Sequence, residues 1–228
     1  MAGVLFILIL GVFGYYLSTR KSRARKPTSS TRPVTRGEAR GEAGETAVRQ
    51  ALRRILNALC GTRYYLHPTS LIILHAPGTP HPTAEIDHLV ITPFGMFVIE
   101  TKAWSGYITS GKDSDTLTRI LQDGTREVRQ SPDRQNRSKV AFLRGVMPGM
   151  WPIEGLGVFA GECDLDPALP LSLVKLGELE HWLRSRRQAY LNKNFPPVNV
   201  SAAWEAVRLV ADLDPCAEHN HRARVSRH

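Results

Sequence analysis

The sequence predicts an α/β protein: a central mixed β-sheet flanked by helices, preceded by one N-terminal transmembrane helix. Three observations predict it. Apolar residues recur at helical spacing over 41–60 and again over 132–146. Between and after these stretches lie short β-branched and aromatic runs, punctuated by Pro, Gly and Asp-Gly turns. And the chain opens on an uncharged apolar run followed at once by clustered Lys and Arg.

That opening run is MAGVLFILILGVFGYYL, residues 1–17. About 17 apolar residues is the lower limit for crossing a bilayer. No Lys or Arg precedes it, and five follow between Arg20 and Lys26. A cleaved signal peptide carries its positive charge in front and a small-residue cleavage site behind, and neither is present. A buried core helix is the competing reading, but so basic a flank does not suit a core. Residues 1–19 are therefore expected to form a single-pass anchor in the inner or cell membrane, N-terminus outside and the rest cytoplasmic. Tyr15 and Tyr16 fall where an interfacial aromatic belt belongs.

Residues 20–36 are Arg, Lys, Ser, Thr and Pro with almost no apolar side chain, which predicts a disordered basic linker. It can set topology and solubility, or hold anionic lipid headgroups at about 1 kcal/mol per basic residue near the surface. It also explains the net charge. Residues 20–40 hold eight Lys/Arg against Glu38 alone, which is +7 of the total +9. The remainder is nearly balanced, so the basic character describes a tether more than a nucleic-acid face. Cys60, Cys163 and Cys216 are scattered and odd in number, which argues against a disulfide framework and fits a reducing compartment.

The folded domain is expected over 37–190. Its first helix starts at Gly41, with Val48, Ala51, Leu52, Ile55, Leu56 and Leu59 on one face and Gly61 as terminator. Glu42 and Glu45 lie in its first turn, where acids favour the helix dipole. Residues 64–74 read as a first strand region and 75–83 as a loop. Residues 106–108 form a short strand, and Asp123-Gly124 turns a hairpin between 117–121 and 126–130. Ser131 caps and Pro132 opens a second helix running to about Val146. Residues 155–160 are a short buried strand, 176–190 hold a third helix, and 198–213 a fourth, capped by Asn199 or Ser201. Residues 191–213 thus pack a C-terminal helix on the domain, and 214–228 are a disordered basic tail. Cys216, His219 and His221 match no zinc spacing.

The central hairpin spans 85–102. Thr92-Pro93-Phe94-Gly95 suits a type I turn. If Thr92 faces Gly95, then Ile91 faces Met96 and Asp87 faces Glu100, on one face with Cβ atoms about 4.5–5.5 Å apart. A bulge beside the turn would shift this by one residue. Lys102 is two residues beyond Glu100 and shares that face. Two carboxylates so close repel unless a proton or cation lies between them. Hard oxygen ligands suit Mg²⁺ or Mn²⁺, and a nearby lysine can orient a water nucleophile and stabilise charge on a phosphate. The alternative is a solvated ion pair at a strand end.

The element order, with Asp87, Glu100-Thr101-Lys102 and Glu45, resembles the restriction-endonuclease-like αβββαβ core of the PD-(D/E)XK nucleases. More specifically, residues 41 to about 187 resemble the NERD, or nuclease-related, domain. The resemblance is carried by Gly41-Glu42-Ala43-Gly44-Glu45, by 85–90, by 95–102, by Gly106-Tyr107-Ile108, and by Ser131-Pro132 with Gln135-Asn136. Ser131-Pro132 stands where Asn-Pro is more typical. The resemblance implies that Asp87 and Glu100 bind a divalent cation, with the Thr101 carbonyl as a further ligand. It implies that Lys102 positions the attacking water, that Glu45 completes the acidic cluster or supports it from just behind, and that Gln135 reaches the site from the second helix.

The expectation is thus a membrane-anchored, cytoplasm-facing, Mg²⁺-dependent nuclease acting on DNA phosphodiesters. The competing class is a non-catalytic nucleic-acid-binding or scaffold module on the same fold, which the nearly balanced domain charge favours. A phosphodiesterase for a small nucleotide is a third.

Overall fold

In the computed structural model, residues 35–225 are described. The expected anchor over 1–19 and all but the last two residues of the expected linker lie outside them. Among the described residues, no helix is long and apolar enough to cross a membrane.

The first helix, α1 (Arg36–Cys60), begins five residues earlier than its apolar periodicity suggested. The reason is a capping box: the Thr35 hydroxyl accepts from the Glu38 N–H, and the Glu38 carboxylate accepts from the Thr35 N–H. Gly61, at φ +61°, ends the helix as expected. Residues 64–74 divide into β1 (Tyr65–Leu66) and β2 (Leu71–Ile73), which join different sheets. Pro68 lies between them and cannot donate to a ladder.

β3 (Ala84–Ile86), β4 (His88–Thr92) and β5 (Gly95–Lys102) follow. The β4–β5 register runs from Thr92 opposite Gly95 through Ile91 opposite Met96 to His88 opposite Ile99, without the bulge that would have shifted it. Thr92 holds the turn with its side chain, donating to the Gly95 carbonyl and accepting from the Phe94 N–H. β6 (Gly106–Ser110), β7 (Thr116–Ile120) and β8 (Arg126–Gln130) form the antiparallel excursion. α2 (Pro132–Val146) is capped by the Ser131 hydroxyl on the Asp133 N–H. β9 (Ile153–Phe159), β10 (Cys163–Leu165), β11 (Leu173–Lys175) and α3 (Leu179–Leu191) come next.

Two corrections fall at the C-terminus. The expected helix over 198–213 is α4 (Val200–Arg208), capped by Asn199, and it stops early because Ala211–Asp212 form a strand, β12, against β2. The tail read as coreless contains α5 (Ala217–Val225). Polar contacts rather than an apolar face seat it: Arg222 meets Glu85 at 2.9 Å, and Arg224 donates to Thr83.

The central sheet has the order β1-β4-β5-β9-β11, antiparallel up to β5 and parallel beyond it. A four-stranded sheet, β10-β6-β7-β8, and a three-stranded one, β12-β2-β3, flank it. This is a mixed α/β fold. Side-chain alternation along β4 and β5 divides the core. Val90, Phe97 and Ile99 face α1 and α3, with Leu52, Ile55, Leu56 and Leu183. Leu89, Ile91, Met96 and Val98 face α2 and α4, with Val140, Leu143, Ala203 and Val207. Cys60, Cys163 and Cys216 are free thiols.

Candidate active site

The same alternation places the charges. Glu100 is two residues beyond Val98, so it emerges on the α2 face, and Lys102 follows it there. On the other side of β5, Glu100 pairs with Gly157 of β9. A Cβ at Gly157 would lie 2.6 Å from the Pro132 Cβ, so only glycine lets the start of α2 approach the sheet this closely. A Cβ at Gly155 would meet the Asn136 Cβ at 3.0 Å, and the Asn136 amide donates to the Leu156 carbonyl. The first turns of α2 are thereby fixed over the end of β5. Gln135 and Lys139, four apart, share one helix face.

Asp87 occupies the junction where the chain leaves one sheet for another. β3 pairs with β2 in the three-stranded sheet, whereas β4 starts at His88 in the central sheet. Asp87 therefore falls just beyond the last pair of the hairpin ladder. Its Oδ2 accepts the Thr101 N–H at 2.8 Å, which returns the carboxyl to the Glu100 end of β5. Arg49 of α1 donates to its carbonyl at 3.2 Å.

Asp87, Glu100, Gln135, Lys139, Glu85 and His221 all line one cavity of about 360 Å³. Glu100 is buried and bonded on both oxygens: Lys102 Nζ lies 2.7 Å from Oε1 and Lys139 Nζ 2.7 Å from Oε2. Burial alone would raise the Glu100 pKa, but the charges and hydrogen bonds of Lys139 and Lys102 outweigh it and hold the carboxyl below its usual value. Asp87 has no such lysine pair. Burial, then repulsion from Glu100, pushes it up to about 7, against the opposing Thr101 hydrogen bond and the Lys139 charge. Asp87 therefore gives up its proton only around neutral pH unless a cation displaces it sooner.

The structure brings Asp87, Glu100 and Gln135 to one cavity; Lys102 does not line it but bonds Glu100. Glu45 is not among the lining residues. It is half-buried on α1, where burial followed by the Glu85 charge raises its pKa, and its own charge is among those that raise the pKa of Asp87. Glycine at 44 allows this seat, since a Cβ there would lie 3.0 Å from the Ala103 Cβ. The Thr101 side chain turns to the α1 face, where its hydroxyl lies 3.1 Å from His88 Nε2. Burial lowers His88 to about 3, so that imidazole is neutral.

Sequence reasoning missed Lys139 and His221. Lys139 was detectable as a cation one turn after Gln135 on a helix whose neighbouring positions, Val140 and Leu143, are core. Nothing local marked His221, because its approach depends on a pairing between residues over 130 positions apart.

A cation would find hard ligands here. Besides the two carboxylates, the buried Gln135 Oε1 has no hydrogen-bond partner among the described residues. Carboxylate and amide oxygens suit Mg²⁺ or Mn²⁺ over softer ions. Among the described residues, no three His, Cys, Asp or Glu side chains form a complete metal cage. Mg²⁺ does not require one, because it is usually held by one or two carboxylates while keeping several waters. The donor set fits such an ion.

A mixed sheet flanked by helices, with a carboxylate pair and two lysines gathered at a strand end, defines an α/β domain with one concentrated charged site. The comparison with known families is specific: the model of the NERD, or nuclease-related, domain matches residues 40–160. The chain belongs to that family, and its function is nuclease-related. No curated protein and no solved structure matches the chain significantly.

Proposed function

We propose that this chain is a metal-dependent nuclease with a restriction-endonuclease-like core. It hydrolyses DNA phosphodiester bonds and is held at the inner or cell membrane by residues 1–19, with the domain in the cytoplasm. One observation carries the catalytic part: Asp87 and Glu100 converge on a cavity with the unpartnered Gln135 Oε1, while Lys102 and Lys139 hold both Glu100 oxygens.

Asp87 and Glu100 would hold Mg²⁺ or Mn²⁺, with Gln135 and the Thr101 carbonyl completing the oxygen set. When bound, such an ion lowers the pKa of a coordinated water and offsets charge on the phosphate. Lys102, fixed by Glu100, orients the attacking water. Lys139, on the other Glu100 oxygen, adds positive charge beside the phosphoryl oxygens. Glu45 supports the carboxylates from outside the cavity lining, its charge acting on Asp87 and Glu85 and offset by Arg222 and Arg49. The membrane anchor is supported by the apolar run and its basic flank alone.

The double lysine clamp on Glu100 also favours a second reading, a nucleic-acid-binding or scaffold module that does not cut. The test is the activity of the full-length protein on linear, circular and single-stranded DNA with Mg²⁺ or Mn²⁺. Cleavage by wild type that disappears in Lys102→Ala is expected. Equal inactivity of both proteins across metals and substrates would overturn the nuclease and leave the binding module.

A further inference from the structure

We propose that α5, which lies beyond the part of the chain shared with the family, belongs to the substrate site, and that its His221 donates a hydrogen bond to a non-bridging oxygen of the bound phosphodiester. The inference rests on the nuclease reading of the cavity.

Three observations carry it. His221 lines the same cavity as Asp87, Glu100, Gln135 and Lys139, although it is far from them in sequence. Its orientation is set by a relay: Arg224 Nη1 donates to Thr83 Oγ1 at 2.9 Å, and Thr83 Oγ1 lies 2.9 Å from His221 Nδ1. Arg224 occupies one lone pair of the Thr83 oxygen, and Nδ1 is the acceptor in reach of its one proton, so we assign the Thr83 hydroxyl as donor to Nδ1. Nδ1 is then an acceptor, so the imidazole hydrogen resides on Nε2. Finally, Arg222 fixes the helix, bonding Glu85 of β3 at 2.9 Å and Glu218 at 2.8 Å. Glu85 lines the cavity too, so the clamp acts at its rim.

The chemistry is complementary. A phosphodiester entering this cavity faces the carboxylates of Asp87, Glu85 and Glu100, and its own oxygens need donors. Lys139 supplies one with charge. The Nε2–H of a neutral His221 supplies another without adding a cation beside Arg134 and Lys139, which already line the cavity. Thr83 and Arg224 are positioning residues that select the donor tautomer.

The test uses the full-length protein, a fluorescein-labelled DNA duplex and Mg²⁺, with kcat and KM measured for wild type, His221→Ala, His221→Gln and Thr83→Val. Thermal unfolding is recorded for each. His221→Ala is expected to lower kcat/KM about 10- to 100-fold, the effect of one hydrogen bond to a charged group. His221→Gln, whose amide still donates, should recover most of that loss, and Thr83→Val should lose part of it with His221 intact. Wild-type kcat/KM in His221→Ala, or equal losses in the Ala and Gln variants, would overturn the inference. Should His221→Ala not fold, Thr83→Val decides: parity with wild type overturns the relay. A wild type that cuts no substrate overturns the proposed function and this inference together, whereas cleavage unaffected by these variants overturns this inference alone.

Discussion

Lys139 Nζ lies 2.7 Å from Glu100 Oε2, joining α2 to β5 through an ion pair whose two side chains are about nine-tenths buried. A charge so placed is costly to leave without its partner. Lys102 remains on the other Glu100 oxygen, which limits the damage if Lys139 is lost. Lys139→Met should therefore destabilise the domain by about 1–3 kcal/mol, read from urea unfolding. It should also raise the Glu100 pKa, since Lys139 is the foremost charge holding it down. Unchanged unfolding would mean that the contact does not hold the helix on the sheet.

Asp87 gives a pH dependence with a defined sign. Its pKa of about 7 lies above the ordinary aspartate value of about 4. A carboxyl raised by folding stabilises the fold while protonated. Its contribution is whole below about pH 4 and is lost as pH rises through about 7. His67, His75, His88 and His221 are lowered, chiefly by burial, and act in the opposite sense as pH falls. Comparing wild type with Asp87→Asn isolates the carboxyl. In EDTA, the Tm of Asp87→Asn minus that of wild type should grow from about pH 5 to about pH 8. Saturating Mg²⁺ should remove that gap by rescuing wild type, because the cation replaces the proton. A gap that is flat with pH would refute the raised pKa.

Gly157 tests the placement of α2. A methyl at this position would be 2.6 Å from the Pro132 Cβ and 2.7 Å from Leu173 Cδ2. Gly157→Ala should cost about 1–3 kcal/mol, as overpacked cores do. It should lower nuclease activity more than Gly149→Ala, where no atom lies within 4 Å of an added Cβ. Equal effects of the two substitutions would show that α2 is not held by this close approach.

The N-terminal run can be tested apart from chemistry. Expression with and without residues 1–19, followed by membrane fractionation, should place the full chain in the membrane pellet and the truncated one in the supernatant. Equal recovery of both in the soluble fraction would remove the anchor.

The hairpin was legible because two independent rules agreed on it: alternation fixed the faces, and the Thr92-Pro93-Phe94-Gly95 turn fixed the register. The second helix was equally legible, since Ser131 and Pro132 state its start and the apolar spacing its face. The C-terminal third was not. Ala211–Asp212 pair with β2 across more than a hundred residues, and α5 is seated by Arg222 and Arg224 without an apolar stripe. Periodicity cannot register either arrangement. In the site, Glu100 and Lys102 followed from spacing two on one strand. The absence of Glu45 from the cavity lining did not, because helical spacing says which face is buried and not which elements wall the pocket beside it.

β2 has a partner on each edge, β3 on one side and β12 on the other, and β3 leads directly into Asp87. Synthesis proceeds from the N-terminus, so a nascent chain has made Glu100, Lys102 and Gln135 long before Ala211 leaves the ribosome. Until then the strand leading to Asp87 rests on a two-stranded ribbon with an open edge, and the wall bearing His221 does not exist. The order of translation therefore closes the candidate pocket only after residues 211–221 have been made.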